Sequence, residues 1–194
     1  NDHCPLPNLM AMLIKDIIGS DKEIQNLEVS GWIRTKRSSK NLSFIELNGG
    51  SCLKNLQVIA PDSFDNYATV ESWGTGMSIR VKGALVPSQG KSQKWEVQAE
   101  EITLIGDCDS QYPLQKKGHS IEFLREISHL RPRTNLFGSV FRIRSKMAFA
   151  VHRFFQERDF HYIHTPIITA SDCEGAGEMF RVTTFDPYEA KAKP

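Results

Sequence analysis

Five segments with strand character follow one another between residues 27 and 105, and their order limits the possible folds more than any other feature. Each segment alternates apolar and polar residues or is rich in β-branched residues, and turn-forming stretches separate them. The segments are LEVSGWIRTKR (27–37), LSFIELN (42–48), LKNLQVIA (53–60), MSIRVKGALV (77–86) and KWEVQAEEITLI (94–105). After the third segment, Asp62 or Ser63 is suited to cap a short helix ending at Gly74. This order predicts a five-stranded OB-fold barrel, since a lipocalin-like barrel needs more strands and an immunoglobulin sandwich lacks the helix.

The composition is typical of a soluble globular protein. Of the 194 residues, 40% are hydrophobic and 24% are charged, and the net charge is +1. The molecule as a whole therefore has no strong attraction to polyanions, and any nucleic-acid binding must come from a local patch. The four cysteines, at positions 4, 52, 108 and 173, form no C-x-x-C pair, which argues against a zinc ribbon and favours a reducing, cytoplasmic compartment. We find neither a signal peptide nor a membrane-spanning run.

Composition and periodicity divide the chain into four parts: an N-terminal segment (1–26), the barrel (27–106), a linker (107–134) and the beginning of an α/β domain (135–194). Near the end of the linker, SIEFLREISHL predicts a short helix stopped by Pro132. Apolar residues at three- and four-residue spacing then predict a long helix to Arg158. The next segment, FHYIHTPIIT (160–169), is β-like, and Pro166 within it is typical of an edge strand.

The long helix and the segment after it leave two interpretations open. The apolar face of the helix suits either a domain core or a subunit interface, since the pair Phe154–Phe155 exceeds what one face needs. His161 and His164 would point to opposite faces of a strand, so a shared metal ion is disfavoured.

A basic and aromatic surface is predicted on one side of the barrel. By the two-residue period, Trp32, Arg34 and Lys36 share one face of the first strand, and Val29, Gly31, Ile33 and Thr35 share the core face. The same parity turns Phe44 and Gln57 outward, with Arg37 and Lys40 in the adjoining turn. Together these residues offer an aromatic ring on which a base can stack, cations for phosphate and an amide to read a base edge. The alternative places Phe44 in the core beside an ordinary charged turn, and a single bulge would reverse the parity.

The stretch SDCEGAGEMFRV (171–182) combines two glycines with two glutamates. It does not complete a G-x-G-x-x-G phosphate loop, because Phe180 occupies the third glycine position and the carboxylates would repel phosphate. Carboxylates beside a flexible backbone suit a cationic group such as an ammonium. A plain surface turn remains the other interpretation.

Taken in order, several motifs closely resemble those of the asparaginyl-tRNA synthetase family, a class II group related to the aspartyl and lysyl enzymes. The motifs are GWIRTKR, LSFIELN, LKNLQVI, YPLQKKGHSIEFLREISHLRPRTN, FFQERDFHYIHTPIIT and SDCEGAGEMFRV. HLRPRTN and CEGAGEMF are the most specific, and the resemblance extends from about Ile14 to Thr184. It implies an OB-fold anticodon-binding domain, a hinge, and the start of an antiparallel α/β catalytic domain that dimerises.

The resemblance also implies roles for individual residues. Phe44 resembles the aromatic that stacks on the central anticodon base, Gln57 the amide that reads this base, and Arg34 a basic contact to the anticodon stem-loop. Lys36 joins this tRNA-binding set through its predicted face. The long helix with Pro166 resembles motif 1 at the dimer interface, and Glu174 matches the carboxylate that holds the α-ammonium of asparagine.

The activity implied by the resemblance is the ATP-dependent ligation of asparagine to tRNA(Asn), with Mg²⁺ neutralising phosphate charge. This chain contains no counterpart of motif 2, whose arginine grips ATP, or of motif 3. We therefore expect an N-terminal fragment that has no catalytic residue or metal site of its own and is inactive in adenylation by itself. The alternatives are a fragment of an aspartate–tRNA ligase and a non-catalytic RNA-binding protein.

Overall fold

The computed structural model describes residues 12–90, 93–169, 180 and 182–184. The chain divides into two compact units, Asn1–Ser145 and Lys146–Pro194. The strands are β1 (Ile24–Ser39), β2 (Leu42–Asn48), β3 (Leu56–Pro61), β4 (Ser78–Pro87) and β5 (Trp95–Gly106). The helices are α1 (Ile14–Ile18), α2 (Tyr67–Ser72), α3 (Ile121–Glu126) and α4 (Asn135–Gln156).

The five strands form a closed barrel in the order β1-β2-β3-β5-β4. Four of the neighbouring pairs are antiparallel, and β3 pairs with β5 in parallel. With α2 inserted between β3 and β4, this is the OB-fold topology predicted from the order of the segments, so the predicted barrel is confirmed. Closure of the sheet leaves no free strand edge.

Alternate residues of the strands fill the barrel core, as the two-residue period predicts. Among the predicted inward residues, those at most 1% exposed are Val29, Ile33, Ile45, Leu47, Leu56 and Val58. Helices α1 and α2 add Ile14, Ile17 and Val70 to the same core. The contribution of α1 was not predicted, because a helix of five residues is too short to show a helical period.

The short helix α2 exists, but its predicted start is wrong. Its N-cap is Asn66 rather than Asp62 or Ser63, and it ends at Ser72, two residues before Gly74. The Asn66 side chain makes no capping bond; its Nδ2 instead donates to the carbonyl of Ile102 at 3.3 Å. This contact joins the N-cap residue of the helix to β5, which is distant in the chain, so local capping propensity could not show it.

Between the barrel and α4, the chain is held by local hydrogen bonds. Ser120 caps α3, since its Oγ accepts from the backbone of Phe123 at 3.2 Å. A single 3₁₀ turn (Arg131–Arg133) contains Pro132, and Thr134 Oγ1 then accepts from the backbone of Phe137 at 3.3 Å at the start of α4. Both predicted helices are therefore confirmed, with small changes at their ends. No helix among the described residues has the length and apolar character needed to cross a membrane.

In the second unit, the chain continues α4 and then runs without regular structure. Residues 160–169 form no strand, so the β prediction for FHYIHTPIIT is wrong. A strand needs a neighbouring strand to exchange backbone hydrogen bonds, and the described residues of this unit contain none. Aromatic contacts hold this part together instead, with Phe155 lying 5.4 Å from both Phe154 and Phe160 between ring centroids.

Candidate nucleic-acid interface

A bulge in β1 decides which side chains reach the outer surface of the barrel. Ile33 pairs with Leu47 and Thr35 with Glu46, so Arg34 is an extra residue between two consecutive pairs. The extra residue reverses the inward and outward alternation for the rest of the strand. As a result, Thr35 and Arg37 face outward and Lys36 faces inward.

The outward residues form what we call the Phe44 face: Thr35, Arg37, Phe44, Glu46, Gln57 and Ile59. Phe44 is partly buried and pairs with Arg37 on one side and Ile59 on the other. The Arg37 guanidinium lies 5.6 Å from the centroid of the Phe44 ring. The predicted outward position of Phe44 is therefore confirmed, and the cation beside it is Arg37 in β1 rather than a residue of a turn.

Gln57 is held by a buried carboxylate that the sequence did not single out. Its Nε2 donates to Glu96 Oε2 at 3.3 Å, and Ser88 Oγ donates to the same oxygen at 2.8 Å. Glu96 is only 3% exposed. Because Glu96 Oε2 accepts this hydrogen bond, the donor end of the Gln57 amide faces it. The amide carbonyl has no partner among the described residues, so it is available to a ligand.

Lys36 does not lie on the Phe44 face, so the predicted sharing of a face with Phe44 is wrong for this residue. It pairs with the core residue Ile45, and its Nζ donates to the carbonyls of Val70, at 3.0 Å, and Glu71 at the end of α2. Burial lowers the pKa of the Lys36 ammonium, and the negative charge of Glu71 partly opposes this effect. The ammonium thus caps the C-terminal end of a helix, where a cation is favourable.

Thr35 was predicted to lie on the core face, and this prediction is also wrong. Because of the bulge, Thr35 pairs with the exposed Glu46 and faces outward.

Arg34 is directed to the linker rather than to Phe44. Its Nη1 donates to the carbonyl of Arg133 at 3.0 Å. The Arg133 guanidinium lies 4.5 Å from the centroid of the Trp32 ring, and its Nη1 donates to Tyr112 Oη at 3.3 Å. Arg34 therefore borders the Phe44 face and joins the barrel to the chain that follows. Sequence reasoning did not predict the contact with Arg133, because residues 34 and 133 are far apart in the chain.

The Phe44 face has the chemical groups needed to hold an unpaired nucleobase. An exposed aromatic surface stacks on the π-face of any base, a guanidinium beside it suits phosphate, and an oriented amide reads a base edge. Glu46 lies in the adjacent row of the same face, and its carboxylate accepts from Asn55 Nδ2 at 3.1 Å.

Comparisons with known proteins identify both parts of the chain. Residues 27–105 match the family model for the OB-fold nucleic acid binding domain. Residues 120–189 match the model for class II tRNA synthetases (D, K and N). An asparagine–tRNA ligase of Treponema denticola is 57% identical over 189 residues, which is 95% of this chain and 40% of the relative. The chain belongs to the asparagine–tRNA ligase family.

Other members of the asparagine–tRNA ligase family give the same result. A relative from Syntrophobacter fumaroxidans is 56% identical over 183 residues, covering 92% of this chain and 39% of its own. The chain thus spans about two fifths of the length of these curated relatives. A solved structure of asparaginyl-tRNA synthetase from Pyrococcus horikoshii, complexed with asparaginyl-adenylate, has a TM-score of 0.75 at 17% identity and covers 91% of this chain and 41% of its own. At that identity it supports the fold alone.

The two other predicted site residues, Glu174 and Pro166, come late in the sequence, far from the strands of the Phe44 face. Glu174 falls outside the residues that the structure describes. Pro166 lies in the segment without regular structure. Within the described part of the chain, no group of three or more His, Cys, Asp or Glu side chains could hold a metal ion.

Proposed function

We propose that this chain supplies the anticodon-binding part of an asparagine–tRNA ligase, with the Phe44 face as its RNA-reading surface. The observation that carries the proposal is the arrangement of Arg37, Phe44 and Gln57 in adjacent rows of one barrel face, with Gln57 held by the buried Glu96. Membership of the asparagine–tRNA ligase family supports the identity of the RNA.

In this proposal, the central anticodon base stacks on Phe44, and Arg37 faces the phosphate beside it. The Gln57 amide reads the edge of the stacked base, using its free carbonyl oxygen and its second N–H. Glu96 acts as a positioning residue, because a misoriented amide would exchange donor and acceptor. Arg34 sits at the border of this surface, where it serves the anticodon stem-loop.

The activity of the whole protein is part of the same proposal. We infer ATP-dependent formation of asparaginyl-adenylate, followed by transfer of asparagine to tRNA(Asn), by a cytoplasmic homodimer. In support, the relatives that are 56–57% identical to this chain are asparagine–tRNA ligases. Glu174 is proposed to hold the asparagine ammonium, and Pro166 to lie at the subunit interface. The Mg²⁺ that would neutralise phosphate charge belongs to the proposed activity of the whole protein, and within the described residues no group of three or more His, Cys, Asp or Glu could hold it.

The test is binding of tRNA(Asn) transcripts that carry each of the four bases at the central anticodon position. Phe44→Ala is expected to weaken binding of every transcript by roughly 1–3 kcal/mol, or about 5- to 150-fold, because stacking is available to all bases. Gln57→Ala is expected to reduce the preference for the native base instead. The control is Phe149→Ala, which removes an exposed phenylalanine of the second unit. Equal binding of all transcripts by the unmodified chain would refute the proposal.

A further inference from the structure

We propose that a groove beside the Phe44 face binds the sugar–phosphate backbone that flanks the stacked base. This inference rests on the proposed function and adds a second, sequence-independent contact to it. The linker groove, as we call it, has a volume of about 440 Å³. Its lining includes Arg34, Glu46, Asn55, Lys116, Lys117 and His119.

The linker groove is continuous with the Phe44 face. Glu46 forms one wall of the groove, pairs with Gln57 and lies two residues beyond Phe44 on the same strand. Side chains two residues apart on one strand face are separated by roughly 7 Å. A nucleotide adjacent to the base on Phe44 is therefore within reach of the groove.

The charge of the linker groove suits a polyanion. Arg34, Lys116 and Lys117 supply three positive charges, and the carboxylate of Glu46 opposes them. Lys116 and Lys117 are exposed, and neither side chain makes an ion pair or hydrogen bond within the described part of the chain. Such ammonium groups can neutralise phosphates, and each neutralised phosphate releases counterions that had condensed on the RNA.

The two lysines project from an anchored segment rather than from a free loop. Leu114, just before them, is 4% exposed. Gln115 Nε2 donates to the carbonyl of Tyr112 at 2.8 Å, and the His119 ring contacts the carbonyl of Pro113 at 3.0 Å and stacks on Phe123 with centroids 5.5 Å apart. Holding the segment in place lowers the entropy lost when the lysines bind.

The experiment measures affinity for the tRNA(Asn) anticodon stem-loop across a range of salt concentrations. Each phosphate contact contributes about 0.7–0.9 to the slope of log K against log salt. The double variant K116Q/K117Q is therefore expected to reduce the slope by roughly 1.4–1.8. It should weaken binding equally for all four central bases, because phosphate carries no sequence information.

The matched control is K15Q/K22Q, which removes two exposed lysines that do not line the groove. An unchanged slope in K116Q/K117Q would overturn the inference, as would an equal fall in the control, which would indicate diffuse attraction. A thermal melt of each variant checks that the barrel is folded. If K116Q/K117Q leaves the salt slope unchanged while Phe44→Ala still weakens binding, only the groove proposal is refuted. If the unmodified chain shows no base preference, the proposed function itself is refuted.

Discussion

Replacing Lys36 by methionine separates two roles for this residue. The two-residue period predicts that Lys36 contacts tRNA, whereas in the structure its ammonium donates hydrogen bonds at the end of α2. Methionine has a similar length and no donor, so Lys36→Met removes the contacts with the Val70 and Glu71 carbonyls while keeping much of the packing.

The expected loss of stability follows from those contacts. A hydrogen bond from a charged group contributes about 1.5–3 kcal/mol, and a cation at a helix C-terminus about 0.3–1 kcal/mol. The Val70 carbonyl also accepts from the backbone of Trp73 at 3.2 Å, so it does not lose its last partner. The burial that lowers the pKa of Lys36 is a further offset. We expect a net loss of about 1–2 kcal/mol in the free energy of unfolding. For the barrel (27–106), each kcal/mol corresponds to a fall in Tm of roughly 4–8 °C.

The assay pairs thermal unfolding with the salt dependence of RNA binding. Lys36→Met should lower Tm and leave the salt slope unchanged, whereas loss of a phosphate contact lowers that slope by about 1. Lys40→Met, at an exposed lysine in the turn between β1 and β2, is the stability control and should leave Tm unchanged. An unchanged Tm together with a smaller slope would show that Lys36 binds RNA and that the assignment to α2 is wrong.

Two further predictions concern the barrel. Gly83→Ala should destabilise the barrel by about 1–3 kcal/mol, since an added Cβ would collide with the Gln98 carbonyl oxygen at the β4–β5 irregularity. Urea unfolding measures this loss, and the control is Gly90→Ala, where the nearest neighbour of an added Cβ lies at 3.4 Å. The pKa of Glu101 is lowered by its hydrogen bond from Lys82 and by the positive charge of that residue. Its stabilising effect is therefore fully present above the ordinary glutamate pKa and is lost as pH falls through the lower folded value. Glu101→Gln should therefore lower Tm at pH 7 and match the unmodified chain at the acid end of a pH series. A constant deficit at every pH, or the same behaviour in the exposed Glu100→Gln control, would contradict the ion-pair explanation.

The two-residue period predicted much of the barrel and part of the candidate site. Ile45 and Leu47 lie in the core and Phe44 lies outside because β2 pairs with β3 in an uninterrupted register and has no extra residue of its own. The same reasoning fails in β1 after Ile33, where one extra residue reverses the alternation for Thr35 and Lys36. A bulge depends on how neighbouring strands close the barrel, and the local sequence carries little sign of it.

Other errors have the same origin in long-range contacts. The segment 160–169 has strand composition, but without a neighbouring strand in the described part of its unit it forms none. Glu96 was missed because it lies in an ordinary strand pattern, and only the parallel pairing of β3 with β5 brings it to Gln57.

The order of the strand segments, the helix between β3 and β4, the long helix α4 and the resemblance to the asparagine–tRNA ligase family can all be recognised in the sequence. These features depend on local periodicity and on side-chain identity, both of which can be read along the chain. The three-dimensional structure was needed to show that Arg37 rather than Lys36 accompanies Phe44, that Glu96 orients Gln57, and that Lys116 and Lys117 border the same surface. These arrangements depend on strand register and barrel closure, which are set by packing between residues distant in the chain.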